Sequence, residues 1–226
     1  MTDELFAGAF AEVAAADEDA AAPCLVALHD RPTREVFDRA ADLLVREDPV
    51  ERELGARILR ELGRGDSEGC RPFTAETVEI VEAEMGDEPD PWVLGWMISV
   101  LGYHHARRTL GRVLGHHAHP AQPVRFAVAA ALPGLADPER TEPEVLDTLL
   151  RLAADDSDAV RWYALYALFN ETAGVASGQR EAWAARLAAR AGADTGRRAQ
   201  LSHLAECLDD PAAAALRDLL AGGLER

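Results

Sequence analysis

Apolar residues recur along this chain every three to four positions, the period of an α-helix that buries one side. Residues 3–19 carry Leu5, Phe6, Ala9, Phe10 and Val13 at that spacing, and residues 33–46 carry Val36, Phe37, Ala40, Leu43 and Leu44. Residues 22–29 read as a short helix. The stripe returns at Val78, Val81 and Met85, at 92–101, at Leu110, Val113 and Leu114 within 106–116, and at Leu146, Leu149, Leu150 and Ala153. Further helices are predicted over 179–191, 196–208 and 211–220. Ala and Leu outnumber Val, Ile and Thr, and no run alternates apolar with polar residues cleanly, so the pattern predicts an all-α fold.

Turn signals divide the helices. Asp17-Glu18-Asp19 closes the first, Asp48-Pro49 ends one helix and opens the next through Leu62, and Pro143 suits a first helical position. The stretch 64–72, with Gly65, Asp66, Ser67, Gly69 and Pro72, predicts the loosest loop. Thr74 reads as an N-cap, while Thr77 three residues on denies it a capping box. Pro120 and Pro123 bracket a turn, Pro133-Gly134 ends or kinks the helix that follows, and Gly222-Gly223 closes the last one.

Two segments 36 residues apart repeat one another: Val124-Arg125-Phe126-Ala127-Val128-Ala129-Ala130-Ala131-Leu132 and Val160-Arg161-Trp162-Tyr163-Ala164-Leu165-Tyr166-Ala167-Leu168. Each puts Val-Arg at the front of an Ala-rich helix after a turn, so the chain reads as stacked helix pairs that bury their stripes only against one another. A weaker echo, Leu54-Gly55 with Ile58, returns as Leu94-Gly95 with Ile98, 40 residues on. Ala127, Ala131, Ala164 and Ala167 let helices approach closely. Arg125 and Arg161 are expected to bond acidic turns or helix ends, which the guanidinium fork suits.

The Val-Arg opening, followed by Val128, Ala131 and Leu132 or by Ala164, Ala167 and Leu168, resembles HEAT repeats, in particular the short phycobilisome-lyase HEAT-like kind. The resemblance covers most of residues 30–220. It implies a right-handed α-solenoid of about five to six stacked antiparallel pairs, with second helices on the concave side and a role in binding proteins. Residues 1–226 then form a single repeat domain, with 1–29 as N-terminal capping helices, 30–208 as repeats and 209–226 as a C-terminal capping helix. No residue supports transferring bilin-lyase activity.

Charge narrows the partners. With 40 acidic and 23 basic residues the net charge is -17, a field that repels nucleic-acid backbones and anionic lipid and favours a basic partner. Neither nucleic acid nor membrane is an expected partner. Cys24, Cys70 and Cys207 are too few and too scattered for a disulfide framework. The start Met1-Thr2-Asp3-Glu4 lacks the positive start and apolar core of a signal peptide, so a cytoplasmic location is expected.

Candidate chemistry is thin. His104-His105 and His116-His117-x-His119 are weak metal signals, because adjacent histidines diverge on a helix and His116 and His117 suit a helix C-terminus. The acidic clusters at 82–90, 155–158 and Asp209-Asp210 read as turns and caps, or as contacts for a basic partner. No serine lies in a nucleophile elbow, and no phosphate loop, paired catalytic carboxylates or Cys-His signature occurs. No catalytic residue, metal or cofactor is assigned.

One feature points to recognition. Trp162, Tyr166 and Phe169 share a helix face distinct from Val160, Ala164 and Leu168; Phe126 and Ala130 correspond to them one repeat earlier, and Trp96 earlier still. Trp96, Phe126, Ala130, Trp162, Tyr166 and Phe169 are therefore the predicted partner-binding residues of one groove, against the alternative that neighbouring repeats cover them as core. The function predicted is a non-enzymatic module that binds a protein or peptide. The alternatives are an inhibitor or immunity-type protein neutralising a basic enzyme, and a HEAT-like DNA glycosylase. The latter needs clustered cations, for which only Arg107-Arg108 with Arg112 and Arg197-Arg198 stand out.

Overall fold

The structure, a computed structural model, describes residues 2–16, 20–67, 70–207 and 211–222. Asp17-Glu18-Asp19, Gly69, Leu208, Asp209-Asp210 and Gly223 lie outside the described residues. Among the described residues every regular element is helical, and the chain groups into two compact units, residues 1–135 and 136–226. The architecture is an all-α solenoid of stacked helix pairs.

Unit 1 contains α1 (Thr2–Ala14), α2 (Pro23–His29), α3 (Arg34–Leu43), α4 (Pro49–Glu61), α5 (Thr74–Glu84), α6 (Pro91–Tyr103), a 3-10 turn (Arg107–Thr109), α7 (Leu110–Leu114) and α8 (Gln122–Leu135). Consecutive helices pair, and α4, α6 and α8 lie side by side as second helices. Their starts are locally specified. Asp48 accepts from Val50 N at 2.9 Å with Pro49 at the first helical position, and Asp90 accepts from Trp92 N and Val93 N at 2.8 and 3.1 Å ahead of α6. Thr33 caps α3 through Val36 N.

Three local expectations change. Thr74 is not a cap but the first residue of α5; the cap position is Phe73, at φ 61°, whose ring stacks 4.7 Å from Phe37 under the Arg34 guanidinium. The Thr74 hydroxyl instead donates to Arg71 O at 2.8 Å and lies 2.9 Å from His104 Nδ1. The helix predicted over 106–116 is only the 3-10 turn and the five residues of α7, since Gly111 and Gly115 weaken helical propensity there. α8 runs through Pro133 and Gly134 to Leu135. A Cβ on Gly102 would lie 2.8 Å from Ala131 Cα, and one on Gly134 would lie 2.5 Å from Gly102 O, so α6 and α8 meet backbone to backbone.

An arginine at the fourth residue of a second helix closes the preceding turn three times. Arg52 donates to Arg46 O and Glu47 O at 2.9 and 2.7 Å, Arg125 to His119 O and Pro120 O at 2.9 Å each, and Arg161 to Asp155 O and Asp156 O at 2.8 and 3.0 Å. Turn carbonyls left unpaired by the chain reversal are thereby satisfied. Two of these arginines also reach the next pair: Arg52 forms a bidentate pair with Glu88 at 2.8 and 2.9 Å, and Arg161 Nε donates to Gln200 at 3.1 Å.

Unit 2 contains α9 (Pro143–Leu152), α10 (Asp158–Tyr166), a π-helical turn (Ala167–Glu171), α11 (Ser177–Ala191), α12 (Thr195–Cys207) and α13 (Pro211–Gly222). α9 packs on α10, and α13 packs on both α11 and α12. Thr141 N donates to Ala173 O at 3.1 Å while its hydroxyl accepts from Ala173 N at 2.9 Å, which joins the loop before α9 to the loop after the π turn.

Candidate recognition surface

The helical period of α4 sets Glu53, Arg57 and Arg60 on one face, and that of α6 sets Trp92, Trp96 and Tyr103 beside them. Trp92 is 51% and Tyr103 42% exposed, large values for aromatic side chains on a helix. Trp96 is half-buried because α4 covers it: the Arg57 guanidinium lies 4.4 Å from its ring centre and that of Arg60 5.4 Å, while Arg60 also stands 3.7 Å from Tyr103. Each such stack contributes about 0.5–1 kcal/mol at an exposed site and more where water is excluded.

Carboxylates hold this arrangement. Glu53 pairs with Arg57 at 2.6 Å and accepts from the Trp96 indole; burial pushes its carboxyl above the usual range, and Arg57 opposes that shift. Arg60 pairs with Glu61 at 2.9 Å. Toward the N-terminal ends of α4 and α6 a cavity of about 300 Å³ opens, lined by Val13, Val50, Trp92 and Val93 with Glu12, Glu53, Asp90 and Arg57 among its polar residues. Glu12 is committed to Cys24 N and Leu25 N at 2.9 and 3.0 Å, capping α2, which has no side-chain cap of its own. Phe126 and Ala130 on α8 are half-buried.

In unit 2, Trp162 is half-buried and stacks on His203 of α12 with ring centres 4.9 Å apart. Tyr166 is 37% exposed and meets Tyr163 edge-on at 6.1 Å. Phe169 departs from expectation: it is 2% exposed, packed edge-on against Trp183 at 6.4 Å. The seven-residue spacing that aligned it with Trp162 assumed an unbroken α-helix. The π turn at Ala167–Glu171 widens the coil, turns each residue through a smaller angle and carries Phe169 inward.

The histidines do structural work. His104 is buried, its Nε2 donating to Leu59 O at 2.9 Å, and His29 Nε2 donates to Arg57 O at 3.1 Å; burial lowers the pKa of both. His105 Nδ1 lies 3.1 Å from Gly134 O. Among the described residues no group of three or more His, Cys, Asp or Glu side chains is placed to share a metal ion. No helix among them is long and apolar enough to cross a membrane.

Residues 78–168 match the family model for HEAT repeats. The matched interval includes both Val-Arg segments, and HEAT repeats generally mediate protein–protein interactions. Neither a curated protein nor a solved structure is matched by the chain. Sequence reasoning missed Arg57, Arg60, Trp92 and Tyr103. Their signal was present: Trp92, Trp96 and Tyr103 recur at helical spacing, and Arg57 and Arg60 sit one turn apart on the corresponding face one repeat earlier.

Proposed function

We propose that this protein is a non-enzymatic recognition module that binds a protein or peptide on the exposed face of its second helices. Trp92, Trp96 and Tyr103 form the anchor in unit 1, with Phe126 and Ala130 on α8; Trp162 and Tyr166 serve in unit 2. The observation that carries this reading is the exposure of Trp92 and Tyr103 beside half-buried Trp96, since aromatics and arginine are the residue types that dominate binding energy at interfaces. The net charge of -17 supports a partner whose overall charge is positive, through long-range steering of encounter. The Val-Arg spacing supports the phycobilisome-lyase HEAT-like type within the repeat family.

Affinity capture from the native cell extract tests this, comparing the intact chain with a Trp92→Ala, Tyr103→Ala double variant of unchanged helicity. A protein enriched by the former and lost from the latter supports the reading. Equal enrichment by both contradicts it.

A further inference from the structure

We propose that the α4–α6 face receives a carboxylate of the partner, seated on the Arg57–Arg60 guanidinium pair beside Tyr103, an inference that rests on the recognition reading above. An arginine carries five N–H donors in a fixed fork. Arg57 is paired with Glu53 and Arg60 with Glu61, and among the described residues no other acceptor meets either side chain; the Nε of each is buried without a partner. The side chains are 23% and 20% exposed, neither fully open nor fully covered, while the Nε of each lies on the buried side. Stacking on Trp96 and Tyr103 fixes both planes before any ligand arrives, which removes ordering cost from binding.

Charge chooses the occupant. Glu53, Arg57, Arg60 and Glu61, together with Arg71 whose guanidinium lies 5.9 Å from the Tyr103 ring centre, sum to one net positive charge within a chain of net charge -17, so a single negative charge is matched where a dianion or a polyanionic chain is repelled. A lysine or arginine of the partner is disfavoured at this spot, because guanidiniums already cover the faces of Trp96 and Tyr103. The occupant is therefore a peptide segment bearing one carboxylate, an Asp, a Glu or a chain terminus, with apolar neighbours against exposed Tyr103 and Trp92. Its direction follows too. Glu12, Glu53 and Asp90 gather where α4 and α6 begin, whereas Arg60 and Arg71 flank Tyr103 beside the single carboxylate of Glu61 where they end, so the carboxylate lies toward the C-terminal ends.

The test is NMR on the full chain, following the Arg57 and Arg60 Nε–H and Trp indole signals while titrating N-acetyl-phenylalanine, its amide, phenyl phosphate and acetyl-lysine amide. Saturable shifts of both arginines are expected with the free acid, which binds at least about tenfold more tightly than the amide. Arg60→Gln removes that preference, and Arg60→Lys, which keeps the charge without the fork, restores it only in part. Equal binding of acid and amide overturns the proposal, as does tighter binding of phenyl phosphate. Shifts at Trp92 and Trp96 caused by the amide or the lysine probe, with the arginine signals unmoved, overturn the carboxylate assignment and leave the recognition reading standing. No shift on this face with any probe overturns both.

Discussion

Replacing Arg52 with Met tests how the stacked pairs are tied together. The Arg52 side chain is 12% exposed and that of its bidentate partner Glu88 2% exposed, so the pair is withdrawn from water. Met preserves most of the stem but deletes two bonds to Glu88 and two to the carbonyls of Arg46 and Glu47. Glu88 is then left buried with Asp90 N as its remaining bonded donor among the described residues. Stranding one charge of a buried pair costs about 3–5 kcal/mol, a large share of the stability of an ordinary domain, at about 5–15 kcal/mol. Adding Glu88→Met removes the stranded charge, so the double variant recovers much of the loss. Urea unfolding followed by circular dichroism supplies the free energies. Arg39→Met serves as a control expected to cost about 1 kcal/mol or less, since its contact with Asp3 is exposed, with Asp3 91% in solvent, and its other contact is a stack 4.0 Å from the Phe6 ring centre. An Arg52→Met loss below about 1 kcal/mol, or a double variant worse than the single, refutes the reasoning.

Further outcomes follow from the same packing. Phe169→Ala should cost about 3–5 kcal/mol as a buried aromatic, whereas Tyr166→Ala should cost under about 1 kcal/mol, a contrast read directly by urea midpoints. Gly102→Ala forces a methyl against Ala131 and should cost about 1–3 kcal/mol by thermal melting. His29 and His104 have lowered pKa values in the fold, so the unfolded chain binds more protons as pH falls below the ordinary imidazole value of about 6.5. Their stabilising contribution is full above that pH, declines by at most about 1.4 kcal/mol per group per pH unit beneath it, and levels off below the depressed values. A His29→Gln, His104→Gln variant should show a shallower slope across about pH 5 to 7 in urea unfolding; an unchanged slope contradicts the assignment.

The helices were legible where their causes are local. Thr33, Asp48-Pro49 and Pro143 mark starts because a cap or a ring acts within one turn, and the 36-residue echo exposed the stacking because each pair solves the same packing problem. What escaped depends on distant chain. Phe169 turns inward at a π turn held by Arg180, which bonds the carbonyls of Phe169 within the turn and of Thr172 just after it. Trp96 is covered by arginines from the preceding pair, and Thr74 faces His104 rather than capping its own helix. Arg52 was hidden because Glu51 stands where the other two motifs have Val, although its bonds repeat theirs. The two compact units divide in sequence after Leu135, at the end of α8 and ahead of the turn at Asp137-Pro138.

Recognition by the second-helix face is tested most directly by site-specific photo-crosslinking in the native cell, with a reactive residue placed at Tyr103 in one chain and at Ala83, exposed on α5, in another. A discrete cross-linked protein at position 103 that is absent at position 83 is the predicted result. Equal products at both positions, or none at 103 while 83 labels a partner, would contradict it.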